Sequence, residues 1–261
     1  MQQVHKWGNR ENPALVLLHG MGGTGLSFGE LAHYLSDYYV VSLDLSAGEY
    51  SGDEAYMPSN MAETIHRLIN QLDLQGITLV GHSWGAHLAL YYAAAHPEKI
   101  TRVISLDGGY IEERGSLDEE LQNLVEFHNS IRFPSWEAFW ESERSELPRW
   151  SEELEAASRS QVKEIDGEIR LALPIPVAQA IVKGIFNEPT SEILDRVSSP
   201  VLLLRSDLPE ELEELRTRSI HHFRKHVPDA AVHVIPGTTH DIYRDAPEKV
   251  AEQIKLWIPN E

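Results

Sequence analysis

The chain has 261 residues, with 22 Lys and Arg against 41 Asp and Glu, and a formal net charge of −19; such a surface repels the phosphates of nucleic acids and of anionic membranes. Its 42% hydrophobic content is enough to bury a large core in one main domain. The absence of cysteine excludes disulfides, a thiol nucleophile and thiolate metal sites, and the polar first twelve residues lack the basic-then-apolar layout of a secretory leader, so a cytoplasmic setting is expected.

In chain order, residues 4–7 offer a short opening strand. The apolar run 14–18 is far too short to span a membrane and fits a buried parallel strand that ends at His19-Gly20. A helix is expected over 27–35, a strand over 38–43 ending at Asp44, and a helix over 60–72, where Asn60 and Glu63 have capping-box spacing. A strand over 77–80 leads through a glycine-flanked turn into an Ala-rich helix over 86–95, and a further strand covers 102–106.

From 111 to 189 the alternation breaks, and the first part of this stretch offers charged amphipathic segments rather than a convincing strand pair. Ser116 and Glu119 fit a capping box, after which Leu117, Leu121, Leu124, Val125 and His128 form one helical stripe. Trp136, Phe139 and Trp140 recur at i, i+3, i+4, and the Pro174-Ile175-Pro176 break precedes a helix over 177–186. Alternation resumes with strands over 201–204 and 231–235 and a helix over 248–257. The pattern implies an α/β fold with a mostly parallel, doubly wound sheet. Residues 1–110 and 190–261 make its core domain, and 111–189 an inserted helical lid.

The richest motif is Gly81-His82-Ser83-Trp84-Gly85, set between the strand and the Ala-rich helix. A strand that turns into a helix within so few residues crowds its own backbone, which calls for glycine on both sides and thrusts the serine hydroxyl above the sheet edge. Ser83 is therefore the candidate nucleophile. The chain order of this architecture then asks for an acid and a histidine at later strand ends. Asp207, after strand 201–204, and His240, after strand 231–235, answer. The imidazole would take the hydroxyl proton on attack and return it to the leaving group, and the carboxylate would fix its tautomer.

These segments, with Leu17-Leu18-His19-Gly20-Met21-Gly22, Ser42-Leu43-Asp44-Leu45 and Gly237-Thr238-Thr239-His240, make the chain resemble α/β-hydrolase-fold enzymes that carry a helical lid. The resemblance implies an oxyanion hole built from the backbone N–H groups of Met21 and Trp84. It also brings alternatives for the acid. The usual Gly, two residues, Asp spacing points to Glu210, and some members place the acid where Asp107 stands. The lid aromatics Trp136, Phe139 and Trp140 either line an apolar substrate pocket or pack the lid.

The other chemistry-bearing patterns carry less. His222 and His226 have helical i, i+4 spacing without the carboxylate of H-E-x-x-H, and no metal is expected. Gly20, Gly22 and Gly25 match G-x-G-x-x-G, but the His19 context explains the glycines better. His82 and His87 read as packing residues, His19 as a residue that orients the oxyanion loop, and Asp44 as one that ties down neighbouring loops. The expectation is a cofactor-free serine hydrolase that cleaves a carboxylic ester of a small, mainly apolar substrate through an acyl-enzyme on Ser83. Thioester, lactone, amide (as in proline iminopeptidases) and carbon–carbon bond hydrolysis use the same triad, and a triad-bearing ligand receptor with little turnover is the alternative of another class. Nothing in the sequence sets an oligomeric state.

Overall fold

The computed structural model describes residues 3–45, 50–111, 115–147 and 149–259. The core alternates β1 (Val4–Trp7), β2 (Ala14–Leu18), α1 (Gly29–Tyr34), β3 (Tyr39–Leu43), α2 (Pro58–Gln71), β4 (Ile77–His82), α3 (Trp84–Ala95) and β5 (Ile100–Leu106). An intervening segment carries α4 (Leu117–Ser130), β6 (Arg132–Phe133), α5 (Trp136–Glu146), α6 (Glu152–Ser160), β7 (Val162–Ile165), β8 (Glu168–Leu171) and α7 (Ile175–Asn187). The core then closes with β9 (Val201–Arg205), α8 (Glu213–His226), β10 (Ala230–Val234), α9 (Ile242–Asp245) and α10 (Pro247–Trp257).

The main sheet runs β1-β3-β2-β4-β5-β9-β10, with β1 antiparallel and the rest parallel. Its central strands are hydrophobic on both faces because both faces are covered. Side chains alternate across a strand, so Leu15, Leu17, Val40, Val80, Ile104, Leu202 and Leu204 join α1, α9 and α10 in one core. Val16, Leu18, Val41, Leu79, Val103, Val201 and Leu203 join α2, α3 and α7 in the other. The sheet is doubly wound, as the alternation implies.

Two expectations are corrected. Asn60 is not a helix cap: α2 begins at Pro58, whose fixed φ suits the first helical position, and the Asn60 amide instead donates to Glu54 O at 2.8 Å. The segment 111–189 is not purely helical, because β6, β8 and β7 form a separate antiparallel sheet. Its β7–β8 turn is Asp166-Gly167, with φ of 52° and 79°. Two successive positive φ values are what a two-residue hairpin turn needs, and Asp-Gly supplies them at little cost. The Ser116–Glu119 capping box is present as expected.

Candidate active site

The sheet order reverses at β2, which has β3 on one side and β4 on the other. Such a switch point opens a crevice outside the carboxyl ends of the strands. Leu18 pairs with Gly81 there, so the His19-Gly20 loop and the Ser83 turn leave the sheet side by side. A Cβ on Gly85 would fall 2.1 Å from Leu18 O, and one on Gly81 2.3 Å from Gly85 O; only glycine lets helix, strand and turn approach this closely. Ser83 has φ 52° and ψ −115°, a conformation that costs a non-glycine residue energy and is characteristic of functional turns. Its N–H is held by Leu106 O at 3.2 Å.

The neighbouring strand supplies the partner of the histidine. β5 lies beside β4, with His82 opposite Leu106, so the residue after Leu106 emerges next to Ser83. That residue, Asp107, has φ 47°. Gly108 follows it, and a Cβ there would sit 2.5 Å from Ser83 O and 2.7 Å from Ser83 Cα. Asp107 Oδ2 accepts a 2.9 Å hydrogen bond from His240 Nδ1. Asp207, expected to meet the imidazole, instead accepts from the N–H groups of Gly237 and Thr238 at 2.8 and 3.2 Å. It braces the loop that carries His240, while the shorter path to the ring belongs to the strand flanking the nucleophile. Glu210 lies on an exposed turn and has no part in this contact.

That loop is held on several sides. Thr239 donates its N–H and hydroxyl to Asp245 at 2.6 and 2.7 Å. The His82 ring lies 4.8 Å from the His240 ring, and its Nε2 donates to the His240 carbonyl at 3.0 Å. Burial depresses the His82 imidazole to about 4, so it is neutral at ordinary pH.

The His240 side chain is 57% exposed whereas Asp107 is buried. Desolvation opposes the cationic form of His240, yet the hydrogen bond and charge of Asp107 outweigh it and raise its pKa above the ordinary value. Burial alone would raise the Asp107 pKa; its contacts with His240 and Ser206 prevail and hold it below the usual carboxylate range. With Nδ1 bonded to the carboxylate, Nε2 is the nitrogen left for the Ser83 hydroxyl.

On the other flank, His19 accepts from Leu45 N–H through Nε2 at 2.9 Å and must therefore donate through Nδ1 to Gly20 O, 2.7 Å away. This neutral, buried ring pins the loop that bears Met21. Asp44 accepts from Gly25 N–H and ties down the same loop. A Cβ on Gly20 would stand 3.1 Å from Ser83 Cβ, which measures how closely the loop approaches the serine. Trp84 is the first residue of α3, where an N–H has no partner within the helix.

Ser83, Trp84, His87, Asp107, Gly108, Gly109, Ile111, Ile185 and His240 surround a cavity of about 200 Å³. Of the predicted substrate-binding aromatics, Phe139 is buried against Val162 and Ile169, with Trp136 and Trp140 packed on that small cluster. Arg159 lies 3.9 Å above the Trp136 ring. The three aromatics serve the intervening segment's own core, and Ile111 and Ile185 take the place beside the serine. His222 and His226 lie on α8 with ring centroids 4.6 Å apart, and His226 is bonded to Asp195.

A sheet switch point with a strained serine turn, a buried carboxylate and a histidine around one cavity defines a hydrolase-type architecture. Residues 13–247 match the alpha/beta hydrolase fold family, and the chain belongs to it. Among curated relatives, 2-(acetamidomethylene)succinate hydrolase of Mesorhizobium japonicum is 25% identical over 253 residues, which cover 94% of this chain and 88% of the relative. Lipase 1 of Psychrobacter immobilis is 22% identical over 262 residues, covering 96% of this chain and 78% of the lipase. The crystal structure of an E-2-(acetamidomethylene)succinate hydrolase superposes with a TM-score of 0.79 at 23% identity, covering 97% of this chain and 93% of that one. Among the described residues, no helix is long and apolar enough to cross a membrane.

Proposed function

We propose that the protein is a serine hydrolase that cleaves carboxylic esters with a short apolar acyl group, using Ser83, His240 and Asp107. The observation that carries this reading is the Asp107–His240 hydrogen bond at the cavity that the Ser83 turn also lines. In the proposed reaction His240 Nε2 takes the Ser83 proton as Oγ attacks the ester carbonyl. The N–H groups of Trp84 and Met21 receive the oxyanion, each such donor typically contributing about 3 kcal/mol to the transition state. His240 then protonates the departing alcohol and activates the water that releases the acid.

The cavity supports the choice of substrate. Ile111, Ile185, Gly108 and Gly109 give it apolar walls, and its volume of about 200 Å³ suits a short acyl chain. The succinate-type compound named for the Mesorhizobium relative is not carried over; among the described residues the cavity is lined by no Lys or Arg. The segment between β5 and β9 would act as the lid, contributing Ile185 from α7 to the wall.

The test combines a fluorophosphonate label, peptide mapping and an ester panel. The label should map to Ser83, aryl acetates and butyrates should be hydrolysed in preference to a prolyl arylamide, and Ser83→Ala should abolish both labelling and turnover. Turnover that survives Ser83→Ala removes the nucleophile from the scheme; labelling with no turnover of any ester points instead to a binding protein. Because neutral His240 is the active form, activity should rise with pH, with a midpoint above the ordinary imidazole value.

A further inference from the structure

Behind the site lies a buried cation that the proposed chemistry does not use. Arg216, on α8, is only 2% exposed, although arginine is rarely buried without partners. It donates through Nη2 to Leu208 O at 2.6 Å and to Ser206 Oγ at 3.1 Å, and through Nη1 to Pro209 O at 2.8 Å. Ser206, fully buried at the end of β9, is bonded to Asp107 twice, from its N–H to Oδ1 at 3.1 Å and from its hydroxyl to Oδ2 at 2.9 Å. A guanidinium has donors and no acceptor. The Ser206 oxygen must therefore receive from Arg216, and its single proton goes to Asp107. The chain of donors has one direction, and it ends on the same carboxylate oxygen that meets His240.

We propose that Ser206 and Arg216 are positioning residues that act on His240 through Asp107, with the guanidinium polarising the Ser206 hydroxyl and that hydroxyl restraining the pull of the carboxylate on the imidazole proton. Hydrogen bonds in series strengthen one another in a low-dielectric interior. Each donor to a carboxylate stabilises the anion and so weakens its attraction for the next proton. Without the relay, negative charge concentrates on the oxygen facing His240, the imidazolium is held more tightly, and the histidine titrates at higher pH.

Other charged and titratable groups face the pair and stay in place in every variant. Asp241 follows His240 in the chain and its carboxylate lies 3.5 Å from His82 Nε2, and the neutral His82 ring approaches the His240 imidazole from β4. Tyr110 donates to Asp107 at 3.3 Å, and Arg205 is engaged by Glu213 and Ser206 O.

The effect on turnover rests on the serine hydrolase reading, but the titration does not, and the two are measured separately. His240 is followed by NMR in a Ser83→Ala background, assigned by comparison with His240→Gln, and Ser206→Ala, Arg216→Gln and Arg216→Lys are added in turn. Ser206→Ala and Arg216→Gln should each raise the His240 titration by about half a pH unit or more, and Arg216→Lys, which keeps the charge, should show little of that shift. With Ser83 intact, Ser206→Ala should lower kcat on an aryl acetate about tenfold at neutral pH. The acid limb should move by the NMR shift and KM should be unchanged. Should Arg216→Gln fail to fold, Ser206→Ala decides, since it leaves Arg216 bonded to the Leu208 and Pro209 carbonyls. A titration unmoved by Ser206→Ala, with or without loss of turnover, overturns the proposal. Turnover that survives Ser83→Ala would instead overturn the nucleophile assignment and leave the titration result standing.

Discussion

The core and the segment inserted between β5 and β9 are built to different rules. Strands β2 to β5 and β9 are buried along almost their whole length, whereas α4 and α5 each bury a single residue, Leu124 and Phe139. In the insert α7 packs most like a core helix, burying Val177, Ala178, Ala180, Ile181 and Gly184. α6 also buries Leu154, Ala157 and Ser158 beside α1, Leu124 of α4 joins the core on the α7 side, and polar contacts add to this attachment. Arg149 reaches Glu30 and the Asp245 carbonyl, Glu188 receives the Ser59 N–H and hydroxyl, and Lys183 meets Asp53. Groups that must keep fixed mutual distances thus stand on the rigid part. The wall that would select substrates includes Ile185 of α7, where the insert is most firmly seated. Rigidity and selectivity are divided along a boundary that loop variation can cross without touching the sheet.

The sharpest probe of the rigid part exchanges two carboxylates. Asp107→Asn should lower kcat on an aryl acetate by about 10³–10⁴-fold. Asp207→Asn, which loosens the loop without touching the ring, should lower it about tenfold. Equal losses would return the acid to Asp207.

Next in size is the outer half of the insert. Phe139→Ala should cost that half about 3–5 kcal/mol, seen as faster amide exchange over residues 132–171, while exchange in β2 to β5 and fluorophosphonate labelling of Ser83 are retained. Loss of core protection in this variant would show that the two regions melt as one.

Ile185→Ala should move the preference from acetate towards longer acyl chains by about tenfold in kcat/KM, with thermal stability lowered only modestly. An unchanged chain-length profile would remove α7 from the acyl wall.

The last probe is acid. His19 and His82 are buried and held neutral, with pKa values below the ordinary imidazole value of 6.5. Such depressed groups contribute stability in full above the unfolded-state value, and lose it as pH falls towards the folded value. The melting temperature should therefore fall between pH 6.5 and about 4, and replacing His82 by Gln should flatten the slope in that window.

Much of this was legible in the residues because burial writes itself as apolar runs. Every strand of the main sheet is found within about two residues of its expected ends. The elbow, the His19 loop and the His240 turn carry glycine and histidine patterns with few alternative uses. The position of Asp107 was written too, in Asp107-Gly108-Gly109 directly after the strand that flanks the elbow, but strand adjacency is a three-dimensional fact. Chain order alone favoured Asp207. Asp166-Gly167 between Val162–Ile165 and Glu168–Leu171 was a readable hairpin signal, obscured by charged residues on strands too short to show a period. Trp136, Phe139 and Trp140 were legible as a stripe, but a stripe does not say which surface it meets. Ser206 and Arg216 left no signal, since a buried serine and arginine look like surface residues until the fold encloses them.

Gly108 carries a consequence of its own. Its α-carbon leaves no room for even a methyl group against the main chain of Ser83, so the spacing between the two turns that carry serine and carboxylate is set by peptide bonds in contact. The two turns lie main chain against main chain, so their mutual placement belongs to the fold itself and waits on no molecule in the cavity.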